Sequence, residues 1–69
     1  MTRYKVLVTL VNGDVFTLKD DFGSFTEASR TVRIEARANS FLPASNIDGP
    51  AYINAGHIAS FCYYETEAE

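Results

Sequence analysis

Apolar side chains dominate the first eighteen residues, where Val6-Leu7-Val8-Thr9-Leu10-Val11 and Val15-Phe16-Thr17-Leu18 flank Asn12-Gly13-Asp14. Two β-branched and aliphatic runs around Asn-Gly predict a β-hairpin. A two-residue type I′ turn needs positive φ at both central positions, and Asn followed by Gly adopts that geometry with the least steric cost. With Val11 opposite Asp14, one face of the hairpin carries Tyr4, Val6, Val8, Leu10, Val15 and Thr17. The other carries Lys5, Leu7, Thr9, Val11, Phe16 and Leu18. A half-solvated antiparallel ribbon alternates apolar with polar side chains, whereas here both faces are apolar-rich. The ribbon is therefore expected to be covered, at least in part, on both sides.

The period changes after Lys19-Asp20-Asp21-Phe22-Gly23, which reads as a turn. Ser24-Phe25-Thr26-Glu27 has the spacing of a capping box, with Ser24 as N-cap and Glu27 at N3. From Phe25 to Asn39 a helix puts Phe25, Ala28, Val32 and Ala36 on one stripe, Arg30, Arg33 and Arg37 on the next, and Ile34 on the far side. Thr31 to Arg37 also alternates like a strand, but the cap, the three alanines and the length favour the helix. Asn39 can end it. Ser40 to Pro50, with Pro43, Asn46, Asp48-Gly49 and Pro50, reads as an irregular connection returning Phe41 and Leu42 to the core. A second hairpin is expected from Ala51-Tyr52-Ile53 and Ile58 to Tyr64, turning through Asn54-Ala55-Gly56-His57 with Gly56 at positive φ. The fold class is α+β: a single small domain of β-β-α-β-β order, its antiparallel sheet packed on one face by one helix.

The chain has 69 residues, 46% of them hydrophobic and 22% charged, which is enough apolar surface to fold but a marginal amount for one core. Oligomerisation is a natural supplement. Cys62 is the single cysteine, so an intramolecular disulfide and a four-cysteine zinc site are excluded and a reducing compartment fits best. The basic opening Met1 to Lys5 precedes an apolar run too short for a signal peptide or a bilayer span, so cytoplasmic residence without membrane contact is expected. A net charge of −3 opposes nonspecific attraction to phosphate backbones. Three acids, Glu65, Glu67 and Glu69, fall in the closing segment, about 65–69, which is expected to fray and leave a nearly neutral body.

Candidate chemistry is sparse. His57, in or beside the second turn, has no visible base partner or co-ligand. Cys62 alternates with Phe61 and Tyr63 and reads as a small packing residue rather than an activated thiol. Asp20-Asp21 and Asn46-Ile47-Asp48-Gly49 lack calcium-loop spacing and read as turn formers. No cofactor, metal or catalytic residue is assigned, and the chain is expected not to be an enzyme. Arg30, Arg33 and Arg37 could clamp an anion from one helical face, although an ordinary solvated face accounts for them as well. Tyr52, Tyr63 and Tyr64 could stack bases, but no RNP-type motif accompanies them and packing or protein contact is favoured.

One helix covers one face of such a sheet, and the other face is left with apolar side chains to bury. The leading expectation is a small non-enzymatic interaction or inhibitor module that self-associates through an apolar sheet face, as a homodimer formed by face packing or edge pairing, and that contacts another protein. Its candidate interface residues are Leu7, Val11, Phe16, Leu18, Ile34, Tyr52, Tyr63 and Tyr64. The alternative is nucleic-acid or nucleotide binding through Arg30, Arg33 and Arg37 with the nearby tyrosines. An active site assembled across an oligomer interface from His57, Asp48 or Tyr64 ranks last.

Overall fold

A computed structural model describes residues 2–67. Five strands form one antiparallel sheet: β1 (Thr2–Leu10), β2 (Val15–Leu18), β3 (Phe41–Asn46), β4 (Gly49–Asn54) and β5 (Ile58–Glu67). Their order across the sheet is β4-β3-β2-β1-β5. The helix α1 (Phe25–Ala38) lies between β2 and β3 in the chain and packs on one face, and a 3₁₀ turn at Ala55–His57 leads into β5. The α+β class and the single helix on an antiparallel sheet are as the sequence predicts.

The first hairpin forms, but one residue out of the expected register. Leu10 N–H donates to Asp14 C=O at 2.8 Å and Gly13 N–H to Leu10 C=O at 2.9 Å, so the loop is Val11-Asn12-Gly13. Gly13 alone takes positive φ, at 93°, as in three-residue hairpin loops built on a type I turn and a left-handed residue. Val8 then faces Phe16, and Thr9 faces Val15. A one-residue slip moves every side chain of a strand to the other face. Phe16 and Leu18 thereby join Val6 and Val8 against the helix, while Val15 and Thr17 turn outward. This register buries two large hydrophobes where the two-residue turn would have buried a valine and a threonine hydroxyl, so apolar burial outweighs the turn preference.

Ser24 caps α1 as predicted, its Oγ accepting from Glu27 N–H at 3.1 Å. The segment 31–37 is helical. Asn39 ends the helix in the left-handed region at φ 53°, with Asn39 N–H bonded to Ala36 C=O and Ser40 N–H to Glu35 C=O, which satisfies the last carbonyls. Ala28 and Val32 are buried and meet Val6, Val8, Leu18, Phe22, Ala44 and Ile53 in the core.

The segment expected to be irregular contains a strand. Phe41–Asn46 pairs with β2 on one side and with β4 on the other, turning through Ile47-Asp48 with Gly49 at φ 114°. Asn46 Oδ1 accepts Asp48 N–H at 2.9 Å and supports that turn. Consequently β4 and β5 are not a hairpin: they occupy opposite edges of the sheet. Gly56 does not take positive φ. It lies in the 3₁₀ turn, where a Cβ would collide with the Asn39 side chain. β5 crosses to the far side and pairs along the whole of β1, from Leu10↔Ile58 to Thr2↔Glu67. Glu65, Thr66 and Glu67, expected in a frayed tail, are thus strand residues opposite Tyr4, Arg3 and Thr2, and residues 68 and 69 lie outside the described residues.

Candidate functional site

Side chains alternate faces along a strand, so the register assigns each residue a side. Tyr4, Val6, Val8, Leu10, Phe16, Leu18, Leu42, Ala44, Ile53, Phe61 and Tyr63 lie on the face that α1 covers. The opposite face carries Lys5, Leu7, Thr9, Val15, Thr17, Pro43, Tyr52, Ser60, Cys62 and Tyr64. Among the described residues nothing packs over it. Tyr52 is 75% exposed and Val15 44%, while Leu7 is half-buried between its neighbours.

The candidate interface residues separate on this frame. Leu7, Tyr52 and Tyr64 share the open face, and Val11 stands exposed in the turn at the end of β1. Leu18 is only 4% exposed and Phe16 packs against the core, so the register removes both from the interface set. Ile34 is exposed on the outer side of α1, away from the sheet. Tyr63 is on the helix side, stacked on Phe25 with ring centroids 5.1 Å apart. Val15 belongs to the open face, which the sequence pattern alone does not show because its side depends on the turn register. Phe41, 64% exposed at the start of β3, escapes the sequence pattern because Pro43 and Asn46 mark that segment as irregular.

Arg30, Arg33 and Arg37 are exposed and line a shallow groove of about 510 Å³ with Phe25 and Ile34. Among the described residues none of the three is ion-paired; the one salt bridge joins Lys5 Nζ to Asp21 Oδ1 at 2.7 Å. The guanidinium groups are therefore available to a ligand, but no buried polar side chain converges on them.

The side-chain hydrogen bonds among the described residues support turns and caps. Lys5 Nζ also donates to Lys19 C=O at 2.9 Å, and Arg3 donates to Asp21 C=O at 3.0 Å, so the two cations fasten the 19–23 loop to β1. His57 is exposed, and its carbonyl accepts Val11 N–H at 2.9 Å. Cys62 is exposed on the open face rather than packed inside. Asp48, in the β3–β4 turn, and Tyr64, on β5, stand at opposite edges of the sheet. Among the described residues no three His, Cys, Asp or Glu side chains converge as a metal site, and no helix is long and apolar enough to cross a membrane. The chain matches no protein-family model, no curated protein and no solved structure.

Proposed function

We propose that this chain is a non-enzymatic protein–protein interaction or inhibitor module that self-associates and presents the open face of its sheet to a partner. The observation that carries this reading is the exposure of Val15, Tyr52 and Tyr64 on a face that α1 does not reach, with Leu7 between them. Fully burying one such side chain is worth about 1.5–3 kcal/mol, so covering three or four of them is comparable with the stability of a small domain. Tyrosines suit a contact surface because each brings a large rigid apolar ring and a hydroxyl that tolerates water. Cytoplasmic residence accords with the free thiol of Cys62.

Sedimentation equilibrium over a range of concentrations tests self-association, with a mass approaching twice that of one chain as the expected result. A mass of one chain throughout ends that part of the reading. The contact face is tested by capture from the native host with wild type and with a Val15→Ser, Tyr52→Ser double variant as baits. A partner held by wild type and lost by the variant supports the open face; one held equally by both moves the contact elsewhere.

A second reading rests on Arg30, Arg33 and Arg37, which line one groove without a carboxylate partner among the described residues. Nucleotides or single-stranded oligonucleotides would bind there with steep salt dependence, and Arg33→Ala would weaken them. The net charge of −3 counts against it. A flat titration at low ionic strength dismisses it.

A further inference from the structure

The two edges of the sheet are not equivalent. Leu10 exchanges backbone hydrogen bonds with the β2 side of the hairpin, and Tyr4 exchanges two with Phe22, each 2.9 Å. Backbone polar groups alternate sides along a strand, so the even residues of β1 point toward β2 and the 19–23 loop, and Arg3, Lys5, Leu7 and Thr9 point toward β5. Their partners are Thr66, Tyr64, Cys62 and Ser60. The residues between, Phe61, Tyr63 and Glu65, direct N–H and C=O outward, where the sheet ends.

The same reasoning at the other edge gives a different answer. Lys19 N–H donates to Pro43 C=O at 3.0 Å, so Pro43 faces β2 and its even neighbours on β3 face β4. By the register, Pro50, Tyr52 and Asn54 then face outward from β4. Pro50 has no N–H to offer, which blunts a strand of six residues. β5 has ten residues, with neither proline nor lysine. Its one irregularity, the extra residue Ala59 between the Leu10↔Ile58 and Thr9↔Ser60 pairs, leaves the ladder beyond it regular. Nor does α1 screen it: a groove of about 340 Å³ separates Val32, Arg33 and Ala36 from Ile58 and Phe61.

We propose that β5 pairs antiparallel with β5 of a second copy of this chain, about a two-fold axis at Cys62, making one ten-stranded sheet. This rests on the self-association half of the function proposed above and assigns it to the strand edge. A second copy is the occupant that fits because the strand is self-complementary in this register. Phe61 falls opposite Tyr63 of the other copy, twice, and aromatic cross-strand pairs are favourable. Each Glu65 falls opposite Ala59, so the two carboxylates stand at opposite ends of the ladder. Centring on Tyr63 would set Phe61 against Glu65, and centring on Phe61 would shorten the overlap. The pairing uses both free edges and leaves only the blunted β4 edges outside, so it closes at two copies. Because the axis is perpendicular to the sheet, both open faces merge into one surface with the two Tyr64 side chains near its middle.

The outward orientation of Tyr63 N–H provides a selective test. Joining residues 1–61 as a thioester to a synthetic 62–69 peptide at Cys62 allows a methyl group on the backbone nitrogen of Tyr63, with its side chain unchanged. The β1–β5 ladder does not use that N–H, so circular dichroism should match wild type while dimerisation weakens about thirtyfold. Glu65→Pro, which removes another outward N–H, should act in the same direction. A wild-type chain that sediments as one copy throughout overturns both this proposal and self-association. A dimer insensitive to methylation and to Glu65→Pro overturns edge pairing alone and leaves the open face as the contact. In the proposed register the two Cys62 residues form a non-hydrogen-bonded pair with Cα atoms roughly 4.5 Å apart, within the span of a disulfide. Diamide, accepting two electrons and two protons from the two thiols, should cross-link the dimer; a methylation-sensitive dimer that fails to cross-link overturns the register.

Discussion

Phe25, the first residue of α1, stacks on Tyr63 of β5 with ring centroids 5.1 Å apart and planes within 8° of parallel. Tyr4 meets both rings edge-on, at 6.5 Å from Phe25 and 6.0 Å from Tyr63. The cluster joins the start of the helix to both strands that lie beneath it, and all of it is near the surface. Aromatic pairs contribute about 0.5–1.5 kcal/mol beyond area burial. A double-mutant cycle of Phe25→Ala and Tyr63→Ala in urea denaturation should return a coupling of that size. Strict additivity would mean that the two rings are neighbours without interacting energetically.

The hairpin register makes a paired prediction. Leu18→Ala removes a core side chain and should cost about 2–5 kcal/mol. Val15→Ser, on the open face, should stay within about 0.5 kcal/mol at concentrations where the chain is monomeric. Under a two-residue turn the order would reverse, since Val15 would be inside and Leu18 outside.

Gly13 has open space around its Cα, so substitution there is a test of backbone conformation alone. At φ 93° a Cβ is strained, and Gly13→Ala should destabilise by about 1–2 kcal/mol. Thermal unfolding checks this, and an unchanged midpoint would show that the loop relaxes without penalty.

Lys5 and Asp21 are partly exposed and 2.7 Å apart. An exposed ion pair of this kind is worth roughly 0.2–1 kcal/mol and is screened by salt. Asp21→Asn should therefore lose less than about 1 kcal/mol in dilute buffer and approach wild type as salt is raised. A larger, salt-insensitive loss would show that the Asp21 carboxylate contributes more than a screened surface pair.

The helix was legible because its signals are local: Ser24 and Glu27 at cap spacing, alanines within, and Asn39 able to adopt left-handed φ. The first hairpin was legible in existence but not in register, since Asn12-Gly13 serves either a two-residue or a three-residue loop. The decision lay with Phe16 and Leu18, whose burial depends on the helix arriving above them. β3 was hidden by its own composition: Pro43, Ser45 and Asn46 signal turns, yet the Pro43 carbonyl accepts the N–H of Lys19, just past β2, and the position works without an N–H of its own. The position of β5 was not readable locally either, because the choice between pairing with β4 and crossing to β1 is set by which strand edge remains free. For the candidate site, the apolar character of Leu7, Tyr52 and Tyr64 was visible, but their shared face follows only from the register.

The pairing of β1 with β5 also sets a schedule. β1 lies inside the sheet between an early neighbour and a late one, and its Thr2↔Glu67 contact joins positions near opposite ends of the described chain. During synthesis Val6, Leu7 and Val8 are made before β5, so the side of β1 that receives β5 stays open until that strand has followed. Such long-range closure is slow relative to helix or hairpin formation. A nascent chain of this sequence thus carries an unfinished apolar ribbon until β5 has been made, and in that interval pairing with a neighbouring nascent copy competes with completing its own fold.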